Sequence, residues 1–423
     1  MKTPALILAA TLLLEFTGSS MTLFRHGESS DSELKVVTNI TRLGEIPADV
    51  KWLDVDNSFG TVRIVGTDNA AAHWSWKLSV GARTDAQAKQ AADAASCKVE
   101  RDGDSFRFVV LPPEFKGPLS FQSDLDILAP KSAGVRVRNR FGKTSVADLA
   151  GDVDARNENG SMEIRNISGK VQAKTSFATL SAEAVGPASL TTQNGKLEAT
   201  DIRGPLEASS SFASMTARKV AGPATLHNQN GSIEASDIHG QLDAKTSFAS
   251  LTASQIAGPV KLRNQNGSVE AGRVAGNADI ETSFSRLTAT DIEGNAVLEN
   301  RNGEVRARDI AGSIEAKTSF ATMEISGRGK EFDCRNQNGA IHLQVATNAF
   351  SRIEARTSFA PIEVKLPAGI KPAIQARTSF AEVESDFPVL MKPRGQDPFA
   401  DVEAGTPRVT LENQNGKIRI TRE

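Results

Sequence analysis

The sequence predicts an all-β fold: a single-chain β-solenoid (β-helix) built from coils of about 18 residues, with one short N-terminal helix. Two interleaved repeats in the 423-residue chain support this prediction. Asn-Gly and a Thr/Ser-Ser-Phe motif each recur in steps of 35 or 36 residues, and they alternate at half that period. The unit is therefore 18 residues long and has two types, an Asn-type coil such as 259–276 and a Phe-type coil such as 241–258.

Numbering one coil from 1 to 18 separates the apolar from the polar positions. Positions 2, 4, 11, 13 and 16 are apolar in most coils, and position 18 is usually glycine. Apolar residues two apart indicate strands with one buried face rather than helices. A chain of hairpins would need Asn-Gly at every turn, whereas alternate turns have Phe-Ala. Coils that stack on their equivalent positions therefore explain the pattern better.

The N-terminus has the features of an export signal. An apolar run of ten residues, Ala5 to Leu14, follows Met1-Lys2. This run is too short for a membrane-spanning helix but is typical of a signal peptide. Small residues at 17–20 follow it, which predicts a signal peptide over 1–20; a buried N-terminal helix is the alternative. No later run is long enough to span a membrane, so we expect an exported chain that is periplasmic, cell-surface or secreted.

The remaining chain divides into four predicted segments. Residues 34–133 form an N-terminal β segment and cap, in which Thr84 and Gln87 resemble a capping box for a helix over about 84–96. Residues 134–385 form the regular β-solenoid, and 53–66 already fit the coil pattern. A segment rich in Pro, Gly and Asp, 386–407, is an irregular loop, and 408–423 is the final coil.

These motifs resemble those of the bacterial putative-adhesin family. The resemblance rests on the signal-like N-terminus, the opening D-N-x-F-G-x-V-x-I-x-G at 56–66, the short alanine-rich helix and the G-x-V-x-A/x-N-G-x-I-x-A coils. It covers roughly residues 50–420. It implies a right-handed β-helix of unknown function at the cell envelope, because its motifs are structural rather than catalytic.

Position 8 is the candidate structural slot, because Phe and Asn alternate there. Counting by twos from position 2 places the slot on the inward face, so the favoured interpretation is a core position with a large ring in every second coil. If the turn at positions 8 and 9 breaks this parity, the rings instead form an exposed apolar stripe suited to docking a partner. The slot residues are Phe141, Asn159, Phe177, Asn194, Phe212, Asn230, Phe248, Asn266, Phe284, Asn302, Phe320 and Asn338.

Three other polar positions have structural interpretations. Position 6 alternates Asn with Thr, and inward amides predict a hydrogen-bonded ladder along the solenoid. Position 12 has Glu in alternate coils, which separates like charges by roughly 9–10 Å. Position 15 mixes Asp with Arg, Lys and Gln, so a solvated face is favoured over a row of calcium ligands.

Composition argues against several function classes. A formal net charge of −2 gives no basic field for nucleic acid. The five His are not at ligand spacing, and Cys97 and Cys334 are too far apart in sequence to suggest a zinc site or a disulfide framework. Cys334 lies at position 4, where we expect a small core residue. Uniform coils offer no cleft, so we predict no catalytic, cofactor or metal site.

We therefore expect a non-enzymatic exported repeat protein that acts as an adhesin or as an interaction scaffold of the cell envelope. Its expected partner is a protein or polysaccharide at the envelope, and self-association is a further expectation. Two alternatives remain open at this point. One is an envelope structural protein that assembles end to end, and the other is a polysaccharide-active β-helix enzyme.

Overall fold

The fold is taken from a computed structural model that describes residues 36–68, 72–114, 117–390 and 397–423. The predicted signal peptide, 1–20, lies outside the described residues. The chain divides into two units, Met1–Gly169 and Lys170–Glu423. Within its described part no helix is long and apolar enough to cross a membrane.

The first unit contains eleven strands and one helix among its described residues. They are β1 (Val36–Glu45), β2 (Trp52–Phe59), β3 (Val62–Thr67), β4 (His73–Ala82), α1 (Asp85–Ala94), β5 (Ser96–Asp102), β6 (Ser105–Leu111), β7 (Ser120–Pro130), β8 (Gly134–Phe141), β9 (Thr144–Leu149), β10 (Val153–Asn159) and β11 (Met162–Ile167).

The helix α1 begins at the predicted capping box. The Thr84 side chain accepts a hydrogen bond from the Gln87 backbone N–H at 3.3 Å, which satisfies one free donor of the first turn. Ala88, Ala91 and Ala92 form its buried face, and the helix packs against β1 and β4. Those two strands pair antiparallel with each other, and β4 pairs antiparallel with β7. The helix thus lies with the antiparallel strands of this unit, away from its parallel coils.

The second unit is a β-solenoid of thirteen coils with two strands each. Its strands are β12 (Val171–Thr175), β13 (Leu180–Val185), β14 (Ala188–Thr191), β15 (Leu197–Ile202), β16 (Leu206–Ser210), β17 (Met215–Val220), β18 (Ala224–Asn228), β19 (Ile233–Ile238), β20 (Leu242–Thr246), β21 (Leu251–Ile256), β22 (Val260–Asn264), β23 (Val269–Val274), β24 (Ala278–Thr282), β25 (Leu287–Ile292), β26 (Ala296–Asn300), β27 (Val305–Ile310), β28 (Ile314–Thr318), β29 (Met323–Gly327), β30 (Glu331–Asn336), β31 (Ile341–Val345), β32 (Arg352–Thr357), β33 (Ile362–Leu366), β34 (Ala373–Arg377), β35 (Val383–Ser385), β36 (Arg408–Asn413) and β37 (Ile418–Arg422).

The pairing register confirms the solenoid and the 18-residue coil. Strands pair in parallel with their equivalents one coil away, so that Leu242 lies opposite Val260 and Leu251 lies opposite Val269. The predicted apolar positions form the core: in the coil 241–258 the residues at positions 2, 4, 11, 13 and 16 are at most 1% exposed. A hairpin chain would have produced antiparallel neighbours, and the coils of this unit have none.

Position 15 has an unusual backbone that explains its composition. Ten successive coils have a non-glycine residue there with φ between +53° and +60°. The residue is an extra one in the strand, so positions 14 and 15 both face outward and position 16 returns to the core. Asp and Asn tolerate this left-handed conformation better than most residues, which accounts for the recurrent Asp without any ion. The residues are Asp148, Asn166, Ala184, Asp201, Lys219, Asp237, Gln255, Arg273, Asp291 and Asp309.

The order of the coils in space differs from their order in sequence near the C-terminus. β36 pairs in parallel with both β32 and β34, and β37 pairs with both β33 and β35. The segment 408–423 is therefore the last coil in the sequence but not the last coil in space. It is inserted between the coil of β32 and β33 and the coil of β34 and β35. A comparable insertion occurs in the first unit, where β2 lies between β6 and β8.

Candidate functional site

The candidate site is the row of turns at positions 7–10 of the thirteen coils in the second unit, which we call the Phe edge. In the coil 241–258 the first strand ends at Thr246 and the second begins at Leu251. The bend between them breaks the inward–outward alternation of the strands. Phe248 consequently faces solvent and is 60% exposed. The favoured prediction that position 8 is a core position is wrong, because the alternation was counted through a turn that does not preserve it.

All the predicted slot residues face outward to some degree. Phe177, Phe212, Phe248, Phe284 and Phe320 are 60–63% exposed, and in the first unit Phe141 is 44% exposed. Asn159 and Asn194 are exposed, whereas the other asparagines are half-buried between the rings: Asn230, Asn266, Asn302 and Asn338.

The alternation of Phe and Asn continues in space where it fails in sequence. Phe359 and Phe380 are 60% and 83% exposed, and in sequence they follow each other without an intervening Asn-type coil. The inserted coil places Asn415 between them, since β36 lies between β32 and β34. Sequence reasoning missed Asn415 as a member of the row. The second unit therefore has seven outward rings, each separated from the next by one Asn-type coil.

Position 6 holds the turns together from inside. The Asn264 side-chain N–H donates to the carbonyl of Ala249 in the preceding coil at 2.7 Å, and Asn264 Oδ1 accepts from the Gly267 N–H at 3.1 Å. In the Phe-type coil, the Thr246 hydroxyl donates to the carbonyl of Gly231 at 2.8 Å. In the second unit the predicted ladder is thus a series of side-chain bonds to the backbone of neighbouring turns. In the first unit two stacked amides do bond, since the Asn57 side-chain N–H donates to Asn139 Oδ1 at 3.2 Å.

These position-6 hydrogen bonds explain why Asn-type turns have Asn-Gly where Phe-type turns have Phe-Ala. A Cβ added to Gly267 would lie 2.1 Å from the Ala249 carbonyl oxygen and 2.6 Å from Asn264 Nδ2, distances that no side chain can occupy. The Asn-type turn therefore requires glycine at position 9. Asn336 and Gly339 repeat the arrangement against Ala321. In the second unit this contact joins an Asn-type turn to the Phe-type turn that precedes it.

Two rings in adjacent coils show how closely phenyl groups can pack on this scaffold. In the first unit β2 and β8 are neighbours, and Phe59 lies opposite Phe141. Their ring centroids are 5.0 Å apart and the ring planes differ by 3°. Adjacent coils therefore allow face-to-face stacking of position-8 rings, whereas rings in alternate coils of the second unit are too far apart for it.

Four consecutive turns of the Phe edge have no charged side chains, whereas the next two turns contain Arg286, Arg301 and Glu304. The four turns at 211–214, 229–232, 247–250 and 265–268 consist of Ser, Phe, Ala, Gln, Asn and Gly. Other charged residues lie on the strand faces and pair across coils, as Arg263 does with Asp279 at 2.5 Å and Arg218 with Glu234 at 2.6 Å. These four turns thus present aromatic rings among small neutral polar groups.

The described residues contain no other cluster that suggests chemistry. None of their His, Cys, Asp and Glu side chains form a group of three or more that could hold a metal ion. Cys97 and Cys334 are both free and buried. Burial raises the pKa of each thiol to about 12, so neither is poised as a nucleophile. Cys334 is a core residue, as predicted from its position in the coil.

Comparisons with known proteins find matches among solved structures only. No family model matches the chain, and no curated protein matches it. A putative cell adhesion protein from Clostridium sporogenes ATCC 15579 aligns with 10% identity and a TM-score of 0.19, over 91% of this chain and 100% of that chain. A putative adhesin from Bacteroides fragilis NCTC 9343 aligns with 12% identity and a TM-score of 0.32, over 55% of this chain and 96% of that chain.

Proposed function

We propose that this chain is an exported, non-enzymatic β-solenoid that acts as an adhesin-like interaction scaffold at the cell envelope, and that the Phe edge is its docking surface. The observation that supports this proposal is the row of seven phenylalanines that are 60–83% exposed in one unit. The other large apolar residues of these coils are almost all in the core.

The size of the exposed apolar row supports docking. At roughly 120 Å² per residue, the seven phenylalanines expose on the order of 850 Å² of surface. Exposed apolar area that is concentrated on one surface and rimmed by polar residues is typical of an interaction site. The row is narrow and long, so it suits an extended partner or an extended edge better than a small molecule.

Two features support the non-enzymatic and exported parts of the proposal. Between 187 and 312 the coils follow one another at a constant 18 residues, so no inserted loop builds the walls of a catalytic cleft. The apolar run at 5–14 has the length of a signal-peptide core. Expressing the full gene product in a bacterial host tests export. We expect the mature chain outside the cytoplasm with a new N-terminus near residue 20, and an intact cytoplasmic chain would contradict it.

Binding of the purified mature protein to isolated cell envelopes tests the docking function. The double substitution Phe248→Ser and Phe284→Ser removes two central rings, and we expect envelope binding to fall about tenfold or more. The matched control is Val297→Ser, because Val297 is 44% exposed but lies on the outer face of β26 rather than on the Phe edge. Equal binding by the double variant and the wild type would refute the proposal.

A stability measurement on the same variants separates docking from folding. Because the two rings are already largely in solvent, their removal is expected to change the free energy of unfolding by about 0.5 kcal/mol or less. Leu251→Ala in the same region removes a fully buried side chain and is expected to cost about 2–5 kcal/mol. A large loss of stability in the double variant would mean that the rings are structural.

A further inference from the structure

From the geometry of the Phe edge we infer that its partner is a second copy of this chain, with the two edges interdigitated ring by ring. Each phenyl ring of one copy would enter the space above an asparagine of the other. The inference rests on the proposed function, because it names the partner of the same edge.

The spacing of the rings makes the edge complementary to itself. Parallel strands of adjacent coils are ~4.8 Å apart, so rings in alternate coils are separated by roughly 9.6 Å along the edge. A ring from a second copy centred in that gap would lie about 4.8 Å from a ring on each side. Phe59 and Phe141, which occupy adjacent coils, stack at 5.0 Å with nearly parallel planes. A row with a period of two coils therefore fits its own copy displaced by one coil.

The small residues in the gaps permit this approach. Asn266 is half-buried, and Gly267 and Ser268 follow it, so the surface between Phe248 and Phe284 is low. The amides of the asparagines and of Gln265 offer hydrogen-bonding groups at the base and rim of the gaps. No charge lies in the four turns between 211 and 268, so these turns can approach a second copy without like-charge repulsion. In the next two turns Arg286 is paired with Glu304 at 2.9 Å.

The area of the edge is sufficient for a stable pair. The seven phenylalanines alone expose on the order of 850 Å² per copy. A standard specific interface buries about 800 Å² per partner. Interdigitation would also bury the turns between the rings, as the dry interfaces of steric zippers do. The exposed area of the Phe edge is therefore larger than the area that a weak, transient interface buries.

A two-fold axis between a Phe-type coil and its Asn-type neighbour would relate the two copies. An axis in that position brings the two Phe edges together antiparallel, and it maps each ring of one copy onto an Asn slot of the other. The same surface then serves both partners, which closes the assembly as a dimer. A parallel arrangement displaced by one coil would leave the two partners non-equivalent.

Analytical ultracentrifugation of the mature full chain from about 1 to 100 µM tests the pairing. We expect the wild type to form a dimer and the double variant Phe248→Ser, Phe284→Ser to dissociate at about 100-fold higher concentration. Val297→Ser should dimerise like the wild type. A wild type that stays monomeric over this range would overturn the inference.

A second variant fills the gaps instead of removing the rings. Asn230→Phe with Asn266→Phe adds aromatic surface but closes the two gaps between Phe212, Phe248 and Phe284 to the rings of another copy, and the stacked pair in the first unit shows that the scaffold accepts rings in adjacent coils. We expect this variant to be folded and monomeric. Dimerisation as tight as that of the wild type, or tighter, would overturn interdigitation and indicate general apolar adhesion.

The same proteins in the envelope-binding assay distinguish this inference from the proposed function. If the wild type is monomeric yet binds envelopes in a ring-dependent way, the docking function stands and the self-pairing fails. In that case, stronger envelope binding by the gap-filled variant would indicate a polysaccharide that stacks on aromatic rings. If neither pairing nor ring-dependent binding is observed, both proposals fail.

Discussion

Replacing Gly267 with alanine tests the contact between an Asn-type turn and the Phe-type turn that precedes it. Gly267 does not have a left-handed backbone, so alanine meets no conformational penalty there. Its added Cβ would lie 2.1 Å from the Ala249 carbonyl oxygen and 2.6 Å from Asn264 Nδ2. The two turns must separate, because the clash with Ala249 is with its backbone, and Asn264 must also leave a position where it makes bonds of 2.7 Å and 3.1 Å to them.

The expected cost follows from these two responses. Forcing a methyl group into a close-packed site costs about 1–3 kcal/mol. A buried amide that loses its partners costs about 1–3 kcal/mol more. The reduced entropy of the unfolded chain offsets about 0.4–1 kcal/mol. We therefore expect Gly267→Ala to lower the free energy of unfolding by about 3 kcal/mol.

The matched control is Gly272→Ala in the same coil. Gly272 also has an ordinary backbone, and the nearest atom to its added Cβ is the Thr290 carbonyl oxygen at 3.9 Å. We expect this substitution to be neutral or to stabilise by up to about 1 kcal/mol.

Urea unfolding compares the two variants, and hydrogen exchange of the amides in 259–276 shows whether the loss is local, since solenoids can unfold in parts. Equal stability of the two alanine variants would refute the argument that position 9 requires glycine.

Three further predictions concern the left-handed residue at position 15, the order of the two coil types and the burial of the cysteines. Ala184→Gly should stabilise by about 1 kcal/mol because Ala184 has φ +53°, whereas Ala182→Gly in the same strand should destabilise; urea midpoints of opposite sign check this. Deleting the two coils 223–258 should leave a solenoid that unfolds at a higher urea concentration than the chain that lacks the single coil 241–258. Only the two-coil deletion keeps Asn-type turns against Phe-type turns. A one-coil deletion variant that unfolds at the same urea concentration or higher contradicts this prediction. Because burial raises the pKa of Cys97 and Cys334 to about 12, alkylation at pH 8 should be slow until urea unfolds the chain, and rapid labelling of the native protein would be evidence against that burial.

Much of the fold is predictable because a solenoid repeats its constraints. Leu242, Ala244 and Leu251 are buried for the same reason in every coil, so the 18-residue period and the spacing by two identify the strands, the core positions and the parallel stacking. Cys334 in place of an aliphatic residue at position 4 is predictable in the same way. The recurrent Asp at position 15 is typical of a residue with a left-handed backbone conformation. Arg and Lys at the same position in other coils do not share that preference, so the composition alone did not identify the positive φ.

The direction of the rings could not be predicted from periodicity. Alternation assigns faces only within a strand, and Phe248 lies in a bend, where the backbone dihedral angles decide which way a side chain points. The pairing of Asn264 with Gly267 was equally hidden, because the clash that excludes a Cβ comes from Ala249, a residue of the preceding coil.

The sequence by itself therefore determined the repeat, the two coil types and the buried positions, because each depends on contacts that recur from one coil to the next. Only the tertiary structure decided which coils are neighbours where the repeat is interrupted. It places Asn415 between Phe359 and Phe380 by inserting β36 between β32 and β34. The physical reason is that the Asn-type turn bonds to the Phe-type turn beside it in space, as Asn413 does to the Ala360 carbonyl at 2.7 Å, so the alternation is satisfied in the second unit even where the chain does not supply it in order.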